Sequence, residues 1–151
     1  MSLPKRVLFL CTHNSARSQM AEGLLRAMYG DRYEVYSAGT EPTSVHPCAC
    51  KVMAEIGVDI SHHTSKSVAI FWGEQFDYVV TLCDDANQAC PVFPNADRYI
   101  HRAFLDPSSI VGSEEEMLSA FRGVRDEIKA WIVEVFGDDK AILSGGSPEG
   151  T

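Results

Sequence analysis

A chain of 151 residues, 45% hydrophobic and 23% charged, fits one globular domain that can bury its own core without disulfide staples. Its net charge of −8 argues against a nucleic-acid partner and against a surface held to anionic lipid, both of which call for a basic face. No stretch approaches a membrane span, and the apolar run after Lys5 and Arg6 is too short for a secretory leader. The five cysteines, Cys11, Cys48, Cys50, Cys83 and Cys90, are therefore expected in the reducing cytoplasm, where catalysis or metal binding is a commoner use of thiols than structural pairing.

Val7-Leu8-Phe9-Leu10 predicts a central parallel strand buried on both faces. Met20, Leu24, Ala27 and Met28 follow at helical spacing, and Gly30 stops the pattern. Tyr33 to Ala38 reads as a strand closed by Gly39. A helix is expected from Pro47 to Glu55, since proline at a first helical position loses nothing. A further helical stretch is expected over Ser67 to Phe76. Tyr78 to Leu82 is aromatic and β-branched and predicts a strand, with another short one at Tyr99 to His101. Ser113 and Glu116 form a capping box, and Met117, Phe121, Val124, Ile128, Trp131, Ile132 and Val135 form one apolar stripe that ends at Gly137. The domain is expected over residues 1–143, with 144–151 a disordered Gly/Ser/Pro-rich tail. Strands alternating with helices imply an α/β fold, a single domain with a parallel sheet covered on both faces. Ligands of such sheets bind beyond the carboxyl ends of the strands, where Cys11 stands.

Cys11-Thr12-His13-Asn14-Ser15-Ala16-Arg17-Ser18 is a Cys-x5-Arg-Ser pattern at a strand-to-helix junction. Five residues can curl so that backbone N–H groups converge on one point, and the following helix adds its positive end. A tetrahedral oxyanion fits there, with Arg17 gripping two of its oxygens by a planar fork. The same field favours the thiolate of Cys11, and Ser18 can donate a hydrogen bond to it. Asn14 tolerates left-handed geometry and can hold the loop in shape.

Residues 7–23, with Tyr36-Ser37-Ala38-Gly39, resemble the low-molecular-weight protein tyrosine phosphatase fold, and within it the thioredoxin-coupled arsenate reductases. The similarity runs from about residue 6 to about residue 136 and includes Thr-Leu-Cys-Asp at 81 to 84, Asp106-Pro107 and Val-Arg-Asp-Glu-Ile at 124 to 128. It implies a four-stranded parallel sheet flanked by helices, no organic cofactor, arsenate or a phosphate-like oxyanion as substrate, and thioredoxin as reductant.

An oxygen leaving group needs a proton donor opposite the thiolate. Asp106 follows the last predicted strand on the same sheet edge as Cys11, and Pro107 biases it toward extended geometry. A carboxyl near an oxyanion is pushed toward protonation, which suits an acid. The resemblance assigns two further thiols to a relay: Cys83 attacks the Cys11–arsenic adduct, and Cys90 then moves the disulfide outward for thioredoxin. Seven residues of helix would hold the two Cα atoms about 10 Å apart, whereas a disulfide spans roughly 4.4–6.8 Å, so any helix between Cys83 and Cys90 has to unwind or bend.

Some residues depart from the pattern. His13 and Ala16 stand where such reductases often carry glycine and cysteine, and His13 can narrow the mouth. The relatives can bind potassium through residues matching Asn14, Glu22, Ser37 and Thr64, but a further acidic ligand matches Lys66, which cannot ligate a cation. Cys48 and Cys50 diverge around their helix and read as packing or surface thiols. His62, His63 and His101 read as turn or surface residues, and Trp72 and Trp131 as core aromatics. Two rivals remain: a small phosphatase, disfavoured by Ser108-Ser109 where aromatic residues usually follow Asp-Pro, and a non-catalytic oxyanion or redox sensor.

Overall fold

The computed structural model describes residues 3–83 and 93–137. Four strands, β1 (Lys5–Cys11), β2 (Tyr33–Gly39), β3 (Phe76–Thr81) and β4 (Ala96–His101), form one sheet in the order β2-β1-β3-β4. All the pairings are parallel. The α-helices are α1 (Arg17–Tyr29), α2 (Pro47–Glu55) and α3 (Glu114–Phe136). The central strand β1 is fully buried from Val7 to Leu10, as its unbroken apolar run requires.

Side-chain alternation sorts the core into two clusters. Val7 and Phe9 face the larger one with Leu24 and Leu25 of α1, Val52 and Met53 of α2, and Phe121, Ile128 and Ile132 of α3. Leu8 and Leu10 face the smaller one with Val79, Phe71, Phe76 and Phe93. The capping box holds as expected: Ser113 Oγ accepts from Glu116 N at 3.1 Å while Glu116 Oε1 accepts from Ser113 N at 2.9 Å.

Three expectations are corrected. The helical stretch over Ser67 to Phe76 contracts to a single 3-10 turn, Val68–Phe71, capped by the Ser67 hydroxyl. Gly73 and the need to enter β3 at Phe76 leave no room for a longer helix. Trp72 is not a core residue: it is 51% exposed, one ring edge resting on Phe93 with centroids 5.8 Å apart. Ala27 lies on the exposed side of α1, whose buried stripe runs through Leu24 and Leu25. Trp131, by contrast, is buried in the larger cluster.

Candidate functional site

β1 ends at Cys11 and α1 begins at Arg17, so residues 12–16 turn at the carboxyl edge of the sheet. His46 and Ser113 cap α2 and α3 with their side chains, whereas the N-cap of α1, Ala16, makes no side-chain bond. The first N–H groups of α1 are thus not claimed by a cap, which is what an anion-binding helix start requires.

The loop is turned inside out by its surroundings. Thr12 O accepts from Glu41 N at 2.8 Å, His13 O from Thr43 N at 3.2 Å, and Ser15 O from His46 N at 3.0 Å. Asn14 O accepts from Ser65 Oγ at 2.7 Å and from Gln19 Nε2 at 3.1 Å. In a trans peptide the N–H points opposite the C=O, so carbonyls held outward aim the following N–H groups inward. Asn14 carries the one positive φ of a non-glycine residue among the described residues, 49°. Its side chain repays that conformation: Nδ2 donates to Ser18 Oγ at 2.8 Å and to Ser37 Oγ at 2.9 Å. Oδ1 accepts from Lys66 N at 2.8 Å and from Gln19 Nε2 at 3.0 Å.

That network includes the hydroxyl that faces the sulfur. Ser18 Oγ lies 2.9 Å from Cys11 Sγ. Because the Ser18 oxygen already accepts from Asn14, its own hydrogen is available to the sulfur. Cys11 itself is 2% exposed. Gly39, the register partner of Cys11, allows the loop to lie this close: a Cβ there would meet Thr12 O at 2.5 Å and Asn14 N at 2.8 Å.

Arg17 is 3% exposed and anchored by its Nη1 donating to Phe104 O at 3.2 Å and to Leu82 O at 3.4 Å. Its Nη2 lies 3.6 Å from Asp106 Oδ2. Asp106 has an extended backbone ahead of Pro107, and its Oδ1 accepts from Ser108 N at 3.0 Å and Ser108 Oγ at 2.7 Å. The carboxyl is thus aimed by a turn on one side and by the guanidinium on the other. Cys11, His13, Ser15, Ala16, Arg17, Thr43, Asp106 and Ser108 line one cavity of about 170 Å³. Among the described residues, no phenyl or indole ring lines it. His13 Nδ1 pairs with Glu41 O at 3.0 Å, which fixes the imidazole at the cavity wall.

Cys83 is buried at 3% exposure, just past the end of β3. Leu82 N donates to Leu10 O at 2.9 Å, so the two segments run side by side as far as Leu82, and Cys83 is the next residue. Cys90 lies outside the described residues, as does the tail 144–151. Cys48 is buried and Cys50 half-buried, and burial pushes both thiols above their ordinary values. Among the described residues, no three His, Cys, Asp or Glu side chains form a metal-binding group. No helix among them is long and apolar enough to cross a membrane.

Of the residues that sequence reasoning singled out, Cys11, Asn14, Arg17, Ser18 and Asp106 are joined by the contacts above, and Cys83 lies at the same edge of the sheet, outside the cavity lining. It overlooked the braces: Gly39, Gln19, Ser65 and the backbone of residues 41–46. His63 is more than a surface residue, for its Nδ1 meets Gln19 Oε1 at 2.9 Å and its Nε2 meets Arg26 Nη1 at 3.3 Å. Gly39 at the end of a strand was the one readable signal, since glycine inside a strand pattern marks close backbone approach.

Residues 6–136 match the family described as low molecular weight phosphotyrosine protein phosphatase. The arsenate reductase of Halalkalibacterium halodurans is 48% identical over 124 residues, 82% of this chain and 89% of that protein. The arsenate reductase of Bacillus subtilis is 47% identical over 124 residues with the same coverage, 82% and 89%. Among solved structures, an arsenate reductase in the phosphate binding state gives a TM-score of 0.71 at 32% identity, over 88% of this chain and 97% of that one. A thioredoxin-dependent arsenate reductase of Corynebacterium glutamicum gives 0.59 at 29% identity, over 91% of this chain and 65% of that one. The chain belongs to the low molecular weight phosphotyrosine protein phosphatase family and, within it, groups with the arsenate reductases.

Proposed function

We propose that this chain reduces arsenate to arsenite through Cys11, Cys83 and Cys90, with thioredoxin restoring the thiols. The observation that carries the reading is the pairing of an anion cradle on one strand end with a second buried thiol, Cys83, on the neighbouring strand end. Phosphoester hydrolysis needs the first; only reduction needs the second. A cavity lining with no phenyl or indole ring among the described residues supports an inorganic tetraoxyanion over an aryl ester.

The loop N–H groups, the start of α1 and Arg17 hold arsenate with its arsenic facing the Cys11 sulfur. Cys11 thiolate attacks arsenic, and a hydroxyl leaves as water with a proton from Asp106. Ser18 stabilises the thiolate by its hydrogen bond before the attack. The Cys83 thiolate then attacks the Cys11 sulfur. The sulfur–arsenic bond breaks, its electron pair stays on arsenic, and arsenite departs as a Cys11–Cys83 disulfide forms. Cys90 attacks Cys83, freeing Cys11 and leaving a Cys83–Cys90 disulfide that the dithiol of thioredoxin reduces. Every electron comes from a thiol, so the scheme uses no organic cofactor, and it suits the reducing cytoplasm.

Arsenate reduction coupled to a thioredoxin system, set beside p-nitrophenyl phosphate hydrolysis, tests the scheme in four proteins. Cys11→Ser is expected to abolish both activities. Cys83→Ser and Cys90→Ser are expected to lose multiple-turnover reduction and keep any hydrolysis the wild type has. Normal reduction by either of the latter variants removes the relay.

A further inference from the structure

Asn14, Glu22, Ser37 and Thr64, the residues matched by resemblance to a potassium site, are linked by hydrogen bonds beside the anion loop. Their oxygens are already engaged. Asn14 Oδ1 accepts from Lys66 N at 2.8 Å and from Gln19 Nε2 at 3.0 Å. Thr64 O accepts from Gln19 Nε2 at 3.0 Å and from Lys66 Nζ at 2.7 Å. Glu22 accepts from the Ser37 hydroxyl on Oε1 and from Arg26 Nη2 on Oε2 at 2.6 Å. Gln19 Nε2 shares two hydrogens among Asn14 O, Asn14 Oδ1 and Thr64 O, while Lys66 occupies one lone pair of Asn14 Oδ1 through its backbone N–H and one of the Thr64 carbonyl through its ammonium, so neither oxygen is an open ligand for a metal.

Charge leads to the same result. The Glu22 carboxylate is 8% exposed and ion-paired with Arg26, and it lies within electrostatic reach of Lys66. A further cation placed among these groups would meet two like charges for one carboxylate. The residues present do not fit a bound potassium ion.

We infer that Lys66 is itself the resident cation of this cluster and a positioning residue for the anion loop. Its ammonium is tethered by the chain, seated on the Thr64 carbonyl and held in the field of Glu22, while its backbone N–H fixes the Asn14 side chain. Burial draws the Lys66 ammonium below its ordinary value, and Glu22 acts against that pull. A tethered charge gives up no translational freedom on taking its place, so the charge balance around Asn14 is independent of dissolved monovalent ions. The inference rests on reading residues 11–18 as an anion loop.

Thermal melting and calorimetric titration with inorganic phosphate, in potassium chloride and in choline chloride at equal ionic strength, test it. Wild type is expected to melt at the same temperature and to bind phosphate equally well in both salts. Lys66→Met is expected to bind phosphate about three- to fivefold more weakly in choline, the range for one partly exposed charge pair, and Lys66→Arg to restore the affinity. Recovery of Lys66→Met by potassium would support the inference, since the ion would then take the place of the ammonium. A saturable, potassium-specific rise in the wild-type melting temperature overturns it. So does wild-type affinity in Lys66→Met without potassium, or failure of Lys66→Arg to do better than Lys66→Met. If wild type binds no phosphate, the anion-loop reading fails, and the melting comparison alone decides the role of Lys66.

Discussion

Two buried cysteines of this protein stand near a helix start, Cys11 ahead of the loop into α1 and Cys48 within the first turn of α2, and they differ in almost everything else. Cys11, 2% exposed, precedes the loop that enters α1; Cys48, 6% exposed, is the second residue of α2. Around Cys11 stand the Ser18 hydroxyl and a helix start that no side chain caps. Around Cys48 the helix start carries a side-chain cap: His46 Nδ1 accepts the N–H of Cys48 itself at 3.0 Å. Cys48 sits in the larger apolar cluster, and burial holds its thiol above the ordinary value against a weaker opposing pull from Lys51. The proposed role of Cys11 as nucleophile draws on the open N–H groups and on the Ser18 hydroxyl at its sulfur, and Cys48 has neither arrangement.

The largest expected contrast is in reactivity. Iodoacetamide at neutral pH should alkylate Cys11 about a hundredfold faster than Cys48, read by peptide mass spectrometry, and saturating phosphate should protect only Cys11. Equal rates would erase the distinction. Gly39→Ala attacks the Cys11 side through the backbone: the added Cβ lies 2.5 Å from Thr12 O. Denaturant unfolding should show a loss of about 1–3 kcal/mol, accompanied by weaker phosphate binding. A stable variant with full phosphate affinity would mean that β2 does not shape the loop.

Ser18→Ala should slow alkylation of Cys11 about tenfold while leaving Cys48 unchanged, the size expected for one hydrogen bond to an ionised group. The smallest effect belongs to the Cys48 side. Burial holds the His46 imidazole below its ordinary value of 6.5, with Asp106 pulling the other way. Its folded form therefore binds fewer protons than its unfolded form, and its contribution to stability is present above 6.5 and lost as pH falls through the depressed value. His46→Asn, which keeps a capping oxygen, should flatten the decline of the melting temperature between about pH 7 and pH 5. Burial depresses His63 as well, so some slope remains. An unchanged slope would show that His46 is not held neutral.

Much of this was readable from the chain itself. The run Val7 to Leu10 and the stripe from Met117 to Val135 are local patterns that each map onto one element, and the Cys-x5-Arg-Ser spacing maps onto the single junction between β1 and α1. The role of Asn14 was also local, since asparagine is among the few residues at ease with φ near 49°. What escaped were contacts between distant residues. Ser65 reaches Asn14 O across 51 positions and Gln19 pairs with His63 across 44, and no periodicity encodes either. Trp72 was misread because hydrophobicity predicts burial only on average, and a residue just past a short turn can keep one face in water.

The outward bracing of the loop carbonyls has one further consequence. An anion in that cradle would be gripped by peptide N–H groups, which every amino acid except proline supplies, so the side chains of His13, Ser15 and Ala16 would be released from the task of binding. Those three positions can be varied, by drift or by a library, to reshape the rim while the grip beneath them persists.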